Sequence, residues 1–198
     1  MKSEWSHNIE YHRDILCAVP PSCSRALDVG CGEGLLTKKL AGCCDQVVGL
    51  DLDSGVLTAS DKAGPRPANV TFAVGDIMTY PFLPGSFTFL SSVATLHHLP
   101  LEPALVRFSE LLAPGGVLVI VGLYRADGLT DAAFSVVGLI ASQAKRRFHY
   151  FRETSAPIKE PQQTLKEIAK AAERLLPASH VRRRFYFRYS LVWQKPRK

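Results

Sequence analysis

No run in the 198-residue sequence is long and apolar enough to cross a bilayer. The two longest, "GGVLVIVGLY" and "AAFSVVGLIAS", fall short of the about 20 apolar residues a helical span needs, so no membrane role is expected. The start, "MKSEWSHNIEYHRD", is polar and charged and lacks the apolar centre of a secretory signal. Cysteine is scarce: five residues, two of them adjacent at Cys43 and Cys44, with neither disulfide nor zinc-ligand spacing. That usage points to a reducing, cytoplasmic setting and to no bound metal. Internal repeats and low-complexity linkers are missing too. What remains, 46% hydrophobic and 21% charged residues, is ordinary for a soluble globular chain of one domain with a substantial core.

Acidic residues are nearly absent from one region. Residues 145–198 hold 15 Lys and Arg against 4 Asp and Glu, whereas residues 1–144 hold 9 against 14. The net charges are therefore +11 and −5. The basic runs "KRRF" and "RRRFYFRY" can attract a polyanion, but a solvated face is the simpler reading, and nucleic acid is not the expected partner.

Short apolar runs alternate with amphipathic stretches, which predicts a parallel sheet with helices on both faces. The runs at 25–30, 46–51, 70–75, 87–93 and 117–123 read as strands, and their unbroken apolar character suits burial on both sides. Helices are expected over 33–42, 54–64, 101–116 with a break at Pro114, 128–149 and about 165–176, the last opened by a Thr164–Glu167 capping box. The end, "VRRRFYFRYSLVWQK", alternates as one or two half-exposed strands would.

The stretch "LDVGCGEG" places Gly30, Gly32 and Gly34 directly after the first strand. Such a turn into a helix is a ready nucleotide site, although a dinucleotide fingerprint would want its third glycine at position 35, which is leucine. Three acids sharpen the reading. Asp51 ends the second strand and can accept hydrogen bonds from ribose hydroxyls. Asp28 precedes Gly30, where its charge repels a pyrophosphate but suits a ligand bearing ammonium and sulfonium groups. Asp76, in "VGDIM", reaches the same carboxyl edge and can accept from an adenine amino group. Each alone is explained by capping a turn, but three at successive strand ends point to a site.

Taken in order, "LDVGCGEG", "VVGLDLD", "VGDIM", "LHHL" and "LLAPGGVLVI" resemble the class I S-adenosylmethionine-dependent methyltransferases over roughly residues 24–123. The resemblance implies a Rossmann-like, doubly wound α/β sheet of seven strands, mostly parallel with an antiparallel last strand, and S-adenosylmethionine as cofactor. It implies that Asp28 and Gly30 lie near the methionine amine, with Cys31, Gly32 and Gly34 completing the loop. Asp51 and Leu52 would hold the ribose, and Gly75, Asp76 and Ile77 the adenine. Ser92 or Val93 would line the methionine pocket. One departure is Thr88, where the fourth strand of the family usually carries aspartate, a structural position. The expected division is a single methyltransferase domain with a cap at 1–24, a cofactor core at 25–123, a substrate lid at 124–160 and a final helix and two strands at 161–198.

Methyl transfer needs alignment and exclusion of water, and a base only where the nucleophile must lose a proton. His97 and His98 follow the fourth strand and are the candidate bases, His97 slightly preferred, with local packing as the alternative. Trp5, His7, Asn8, Tyr11 and His12 are candidate lid contacts, Tyr11 the one assigned to the cofactor, with an amphipathic helix that only packs on the sheet as the equal alternative for this segment. Tyr124, Arg125, His149 and Tyr150 are further candidates on the substrate side. The chain has no Pro-Pro-aromatic amino-methylation signature, no Pro-Cys nucleophile and no Asp-Asn pair after the fifth strand. These absences favour a small-molecule acceptor, with an RNA or protein acceptor, or a non-catalytic binding protein, as alternatives.

Overall fold

The computed structural model describes residues 4–55, 60, 64–151 and 159–197. Its centre is a seven-stranded sheet built from β2 (Cys23–Val29), β3 (Cys44–Asp51), β4 (Val70–Val74), β5 (Phe87–Val93), β6 (Leu112–Leu123), β8 (His180–Arg184) and β9 (Arg188–Gln194). Their order is β4-β3-β2-β5-β6-β9-β8. The first five in that order are parallel, and β9 runs antiparallel to both neighbours. The chain order reverses across β2 and β5, which is where an open sheet of this kind forms a ligand crevice at its carboxyl edge.

Adjacent residues of each central strand enter opposite cores, as a period of two requires. Leu27, Leu90, Leu118 and Ile120 pack with Leu105 and Phe108 of α3 (Leu101–Leu111) and Ile168 of α5 (Leu165–Leu175). Ala26, Phe89, Val119 and Val121 pack with Ile15 of α1 (His12–Cys17) and Leu36 and Leu40 of α2 (Leu35–Leu40). The unbroken apolar runs are thus strands covered on both faces. The capping box forms as expected: Thr164 Oγ1 accepts from the Glu167 amide, and the Glu167 carboxylate accepts from the Thr164 amide.

Four details differ from the sequence expectation. The helix expected over 101–116, with a break at Pro114, ends at Leu111, and Leu112 turns extended and pairs with Phe87. Pro114 disfavours helical backbone at Ala113, and Lys195 Nζ caps the end by donating to the Ser109 and Leu112 carbonyls that the helix leaves open. The first helix after the glycine loop is also shorter, beginning at Leu35 because Gly34 sits at φ +73°. β9 is an interior strand: Tyr189, Leu191 and Trp193 are almost wholly buried, and β8 takes the edge. Finally, the N-terminal segment is not one helix. Glu4–Trp5 forms β1, paired in parallel with β7 (Tyr150–Phe151), and a 3-10 turn at Ile9–Tyr11 precedes α1. Of the helix expected over 54–64, residues 56–59 and 61–63 lie outside the described residues, as do residues 152–158 of the expected lid. No helix among the described residues is long and apolar enough to cross a membrane.

Thr88 has a structural task. Its Oγ1 accepts from the Arg25 amide and lies 3.1 Å from the Arg25 carbonyl, stitching β5 to the start of β2. Thr88→Val keeps the shape and strands both backbone groups, so a loss of about 1–3 kcal/mol is expected in urea unfolding. An unchanged midpoint would show that the stitch adds nothing.

Candidate active site

The three loop glycines serve two different purposes. All have positive φ: +69° at Gly30, +50° at Gly32 and +73° at Gly34. A side chain at Gly30 would overlap Thr95, which follows β5, and one at Gly34 would overlap the Phe72 ring of β4. At Gly32 an added Cβ would meet nothing within 4 Å. Two glycines therefore permit close packing, and the third keeps its face open toward a cradle.

Asp28 lies just before the loop and is 2% exposed. Its Oδ1 accepts from Ser91 Oγ of β5 at 2.8 Å, and its Oδ2 accepts from Thr37 Oγ1 of α2 at 2.7 Å. Burial pushes its carboxyl up to about 6, with the two hydroxyls pulling the other way and the Asp51 charge adding a smaller upward push. Asp51, at the end of β3, accepts from the Gly32 amide at 2.8 Å and from the Asp53 amide at 3.1 Å. Each oxygen keeps a second lone pair, so the carboxylate can still receive a vicinal diol. Asp76 is exposed and accepts from the Met78 amide with Oδ1, closing a turn that leaves Ile77 buried. Leu52, 74% exposed, stands beside Asp51 as an uncovered apolar surface. Tyr80 packs so closely on Gly75 that a Cβ there would strike the ring.

The end of β5 brings polar atoms to the same edge. Ser92 Oγ and His97 Nδ1 are buried without a hydrogen-bond partner. Val93 is half-buried, and Ala94 takes φ +52° before the 3-10 turn that carries His97 and His98. The His97 and His98 rings lie 4.1 Å apart. Burial pulls His97 down to about 4, helped by His98, Arg188 and Lys159, so its imidazole is neutral at neutral pH. His98 is lowered as well, by burial and then by Lys159.

The N-terminal candidates divide. His7 stacks on Tyr186 with ring centroids 4.9 Å apart, and its Nε2 lies 3.0 Å from Ser142 Oγ. Tyr11 donates its hydroxyl to the Phe185 carbonyl at 2.7 Å, and burial raises its pKa. Asn8 accepts from Arg188 Nη2 at 2.9 Å. His12 instead turns to α2, with Nδ1 3.2 Å from Lys39 Nζ. Trp5 is fixed by donating to Glu10, which also holds Lys145 of α4 (Leu129–Phe148). Of the other candidates, Tyr124 is buried against Asp131, Arg125 reaches the Gln162 carbonyl, and Tyr150 is 66% exposed. His149 ends α4 within electrostatic reach of Glu10. Sequence reasoning missed Thr37, Ser91, Thr95 and Arg188. None had a clear signal, and Arg188 lay inside the basic run "RRRFYFRY".

The methyltransferase-domain family profile matches residues 27–120. Uncharacterized methyltransferases of Mycobacterium bovis and Mycobacterium tuberculosis are 34% identical over 200 residues, spanning 99% of this chain and 100% of theirs. The chain belongs to the class I S-adenosylmethionine-dependent methyltransferases. The fold agrees with solved structures. One is a methyltransferase from Methanosarcina mazei, with TM-score 0.65 at 18% identity over 93% of this chain and 98% of that one. Another is a Haemonchus contortus phosphoethanolamine methyltransferase bound to S-adenosylhomocysteine, with TM-score 0.66 at 19% identity over 95% of this chain and 53% of that one.

The residues of this methyltransferase fit its cofactor: the open face at Gly32, the spare lone pairs of Asp51 and the unpartnered Ser92 hydroxyl all suit a polar ligand. Among the described residues no group of three or more His, Cys, Asp or Glu is placed to hold a metal.

The buried Asp28 carboxyl has a measurable consequence. Its folded value of about 6 exceeds the ordinary carboxylate value, so the folded state binds more protons between about pH 4 and pH 6. Its contribution to stability is therefore greatest below about pH 4, falls as pH rises to about 6, and is flat above. His7, His12 and His97, each lowered to about 4 chiefly by burial, act oppositely and lose stability as pH falls below 6.5. Subtracting Asp28→Asn from the wild type isolates the aspartate. The difference in unfolding free energy should drop by about 2 kcal/mol from pH 4 to pH 6. A flat difference across that window would mean that Asp28 titrates normally.

Proposed function

We propose that this methyltransferase moves a methyl group, by in-line displacement, to an oxygen or nitrogen of a small-molecule metabolite in the cytoplasm, in the manner of secondary metabolism. The observation that supports the donor side best is the open face of Gly32 framed by acids at the ends of three neighbouring strands, β2, β3 and β4. When bound, S-adenosylmethionine supplies a methyl group on a sulfonium, a good leaving group. Asp51 would accept from the ribose hydroxyls beside Leu52, and Asp76 with the Ile77 backbone and Gly75 would receive the adenine. Asp28, through its charge, and Gly30, Cys31 and Gly34, through the loop backbone, would hold the methionine ammonium. Ser92 and Val93 would line the path to the acceptor. Tyr11 would brace the cap from outside, since its hydroxyl is already bonded to Phe185.

His97 is the candidate to meet the acceptor, with His98 behind it. A neutral imidazole of pKa about 4 accepts a hydrogen bond well but takes a proton poorly at neutral pH. That favours an acceptor needing orientation more than deprotonation. The N-terminal segment and residues 124–160 would exclude water. An RNA or protein acceptor is less well supported, because much of the basic tail is engaged internally. Arg183 pairs with Asp131 at 2.7 Å, Arg184 donates to Ser190, Lys195 caps α3 and Arg188 is buried.

Asp51→Ala tests the donor side. Calorimetric titration with S-adenosylhomocysteine should show affinity lost by on the order of 1.5–3 kcal/mol, with the melting temperature nearly retained. Unchanged affinity would remove the ribose assignment.

A further inference from the structure

Arg188 opens β9, opposite Leu123 at the carboxyl end of β6, and only 9% of it is exposed. Its Nη1 donates to the Tyr186 carbonyl at 3.2 Å and its Nη2 to Asn8 Oδ1 at 2.9 Å, while Nε is buried without a partner. Among the described residues no carboxylate pairs with it, and the only charge-bearing group that acts on it is the Tyr11 phenol. Its other titratable neighbours, His7 and His97, are held neutral by burial. A desolvated cation of this kind is costly unless something neutralises it. Burial lowers even this arginine to about 10.

The backbone beside it carries a second cost. The Arg188 amide donates to the Phe185 carbonyl at 3.3 Å, closing a turn whose central residues, Tyr186 and Phe187, have φ +60° and +59°. A turn with two positive φ values ordinarily takes Asn-Gly, and bulky aromatic residues there are strained. Strain and an unneutralised charge at one place mark a functional site more than a folding device.

We propose that Arg188 anchors an acceptor subsite for a compact oxyanion, a carboxylate or a phosphate. A guanidinium meets either with matched, charge-assisted hydrogen bonds. The subsite deepens the methyltransferase reading and rests on it, since it places the anion on the molecule that receives the methyl group. The cofactor's own carboxylate is a poorer occupant. Arg188 lies three strands from β2, about 14 Å at the usual strand spacing.

Three measurements on the full chain test the subsite, using Arg188→Gln with Arg188→Lys as the charge-retaining control. In the first, S-adenosylhomocysteine should bind wild type and R188Q equally. A tenfold loss in R188Q gives the arginine to the cofactor and overturns the proposal. In the second, labelled methyl transfer is followed over carboxylic acids, phosphate monoesters and their matching amides and alcohols. Turnover should be confined to the charged members, with R188Q raising KM by about 100-fold, kcat changing less, and R188K falling between. Preference for acids or for phosphates identifies the source of the oxyanion. A best acceptor among the neutral members, no charged acceptor at all, or an unchanged KM overturns it. In the third, ligand-free R188Q should melt no lower than wild type, because it removes an unneutralised buried charge. Melting several degrees lower makes Arg188 a folding residue and overturns the subsite. A wild type that fails to bind S-adenosylhomocysteine sinks the donor reading instead, and the melting comparison still decides the role of Arg188.

Discussion

The Asp28 carboxylate joins three elements at the point where the sheet reverses its order. On β2 it faces Ser91 of β5 in register, and its second oxygen reaches Thr37 of α2 across the first crossover. A buried carboxylate is expensive, and two hydroxyl donors reduce that expense without adding a neutralising charge. The result is a negative charge fixed at the mouth of a crevice. The glycine loop must pass directly after it, and β5 and β4 close on that loop through Thr95 and Phe72. Once those contacts are made, Gly32 is the loop glycine whose side-chain direction stays open. The open turn proposed to receive the donor thus follows from one ionisable group and from the packing around it.

The opposite side of the edge is assembled by fastening distant parts of the chain. Glu10 binds both Trp5 and Lys145, β1 pairs with β7, and Asp131 receives Tyr124 and Arg183. These ties join the N-terminal segment and both ends of α4 to the core, so the wall facing His97 does not depend on one loop. Its composition contrasts with the donor side. Three acids gather at β2, β3 and β4, whereas His7, Tyr11 and His97 surround Arg188, with Arg146 and Lys159 also within electrostatic reach of the two histidines. A positively charged donor and an acceptor of the other sign would each find the matching half.

What the sequence made legible was local. Gly30, Gly32, Gly34 and the three acids stand within one strand-turn unit each, and the buried strands announce themselves as apolar runs. The break near Pro114 was legible, but the cap on that helix end was not, because Lys195 lies 84 residues beyond Leu111. β9 read as half-exposed because alternation in "RYSLVWQ" looks alike whether a strand is an edge or an interior member. Thr37 and Ser91 were invisible as site residues for a related reason. A hydroxyl in a helix or strand is unremarkable until the fold shows which carboxylate it meets. Arg188 sat in a basic run that suggested a solvated face, and its burial is what separates it from Arg182 six residues earlier, which is exposed.

The hairpin at Phe185–Phe187 shows why such strain is retained. Asn-Gly would satisfy the turn at lower conformational cost, yet it would remove the Tyr186 ring that stacks on His7 and packs at 5.5 Å against Trp5. An exposed arginine interacts weakly with an anion, because water and salt screen it, whereas a covered one does not. Strained aromatic residues and an unpaired cation therefore form one arrangement. Each is unfavourable for folding alone, and a charged acceptor, as proposed for Arg188, would give both a use.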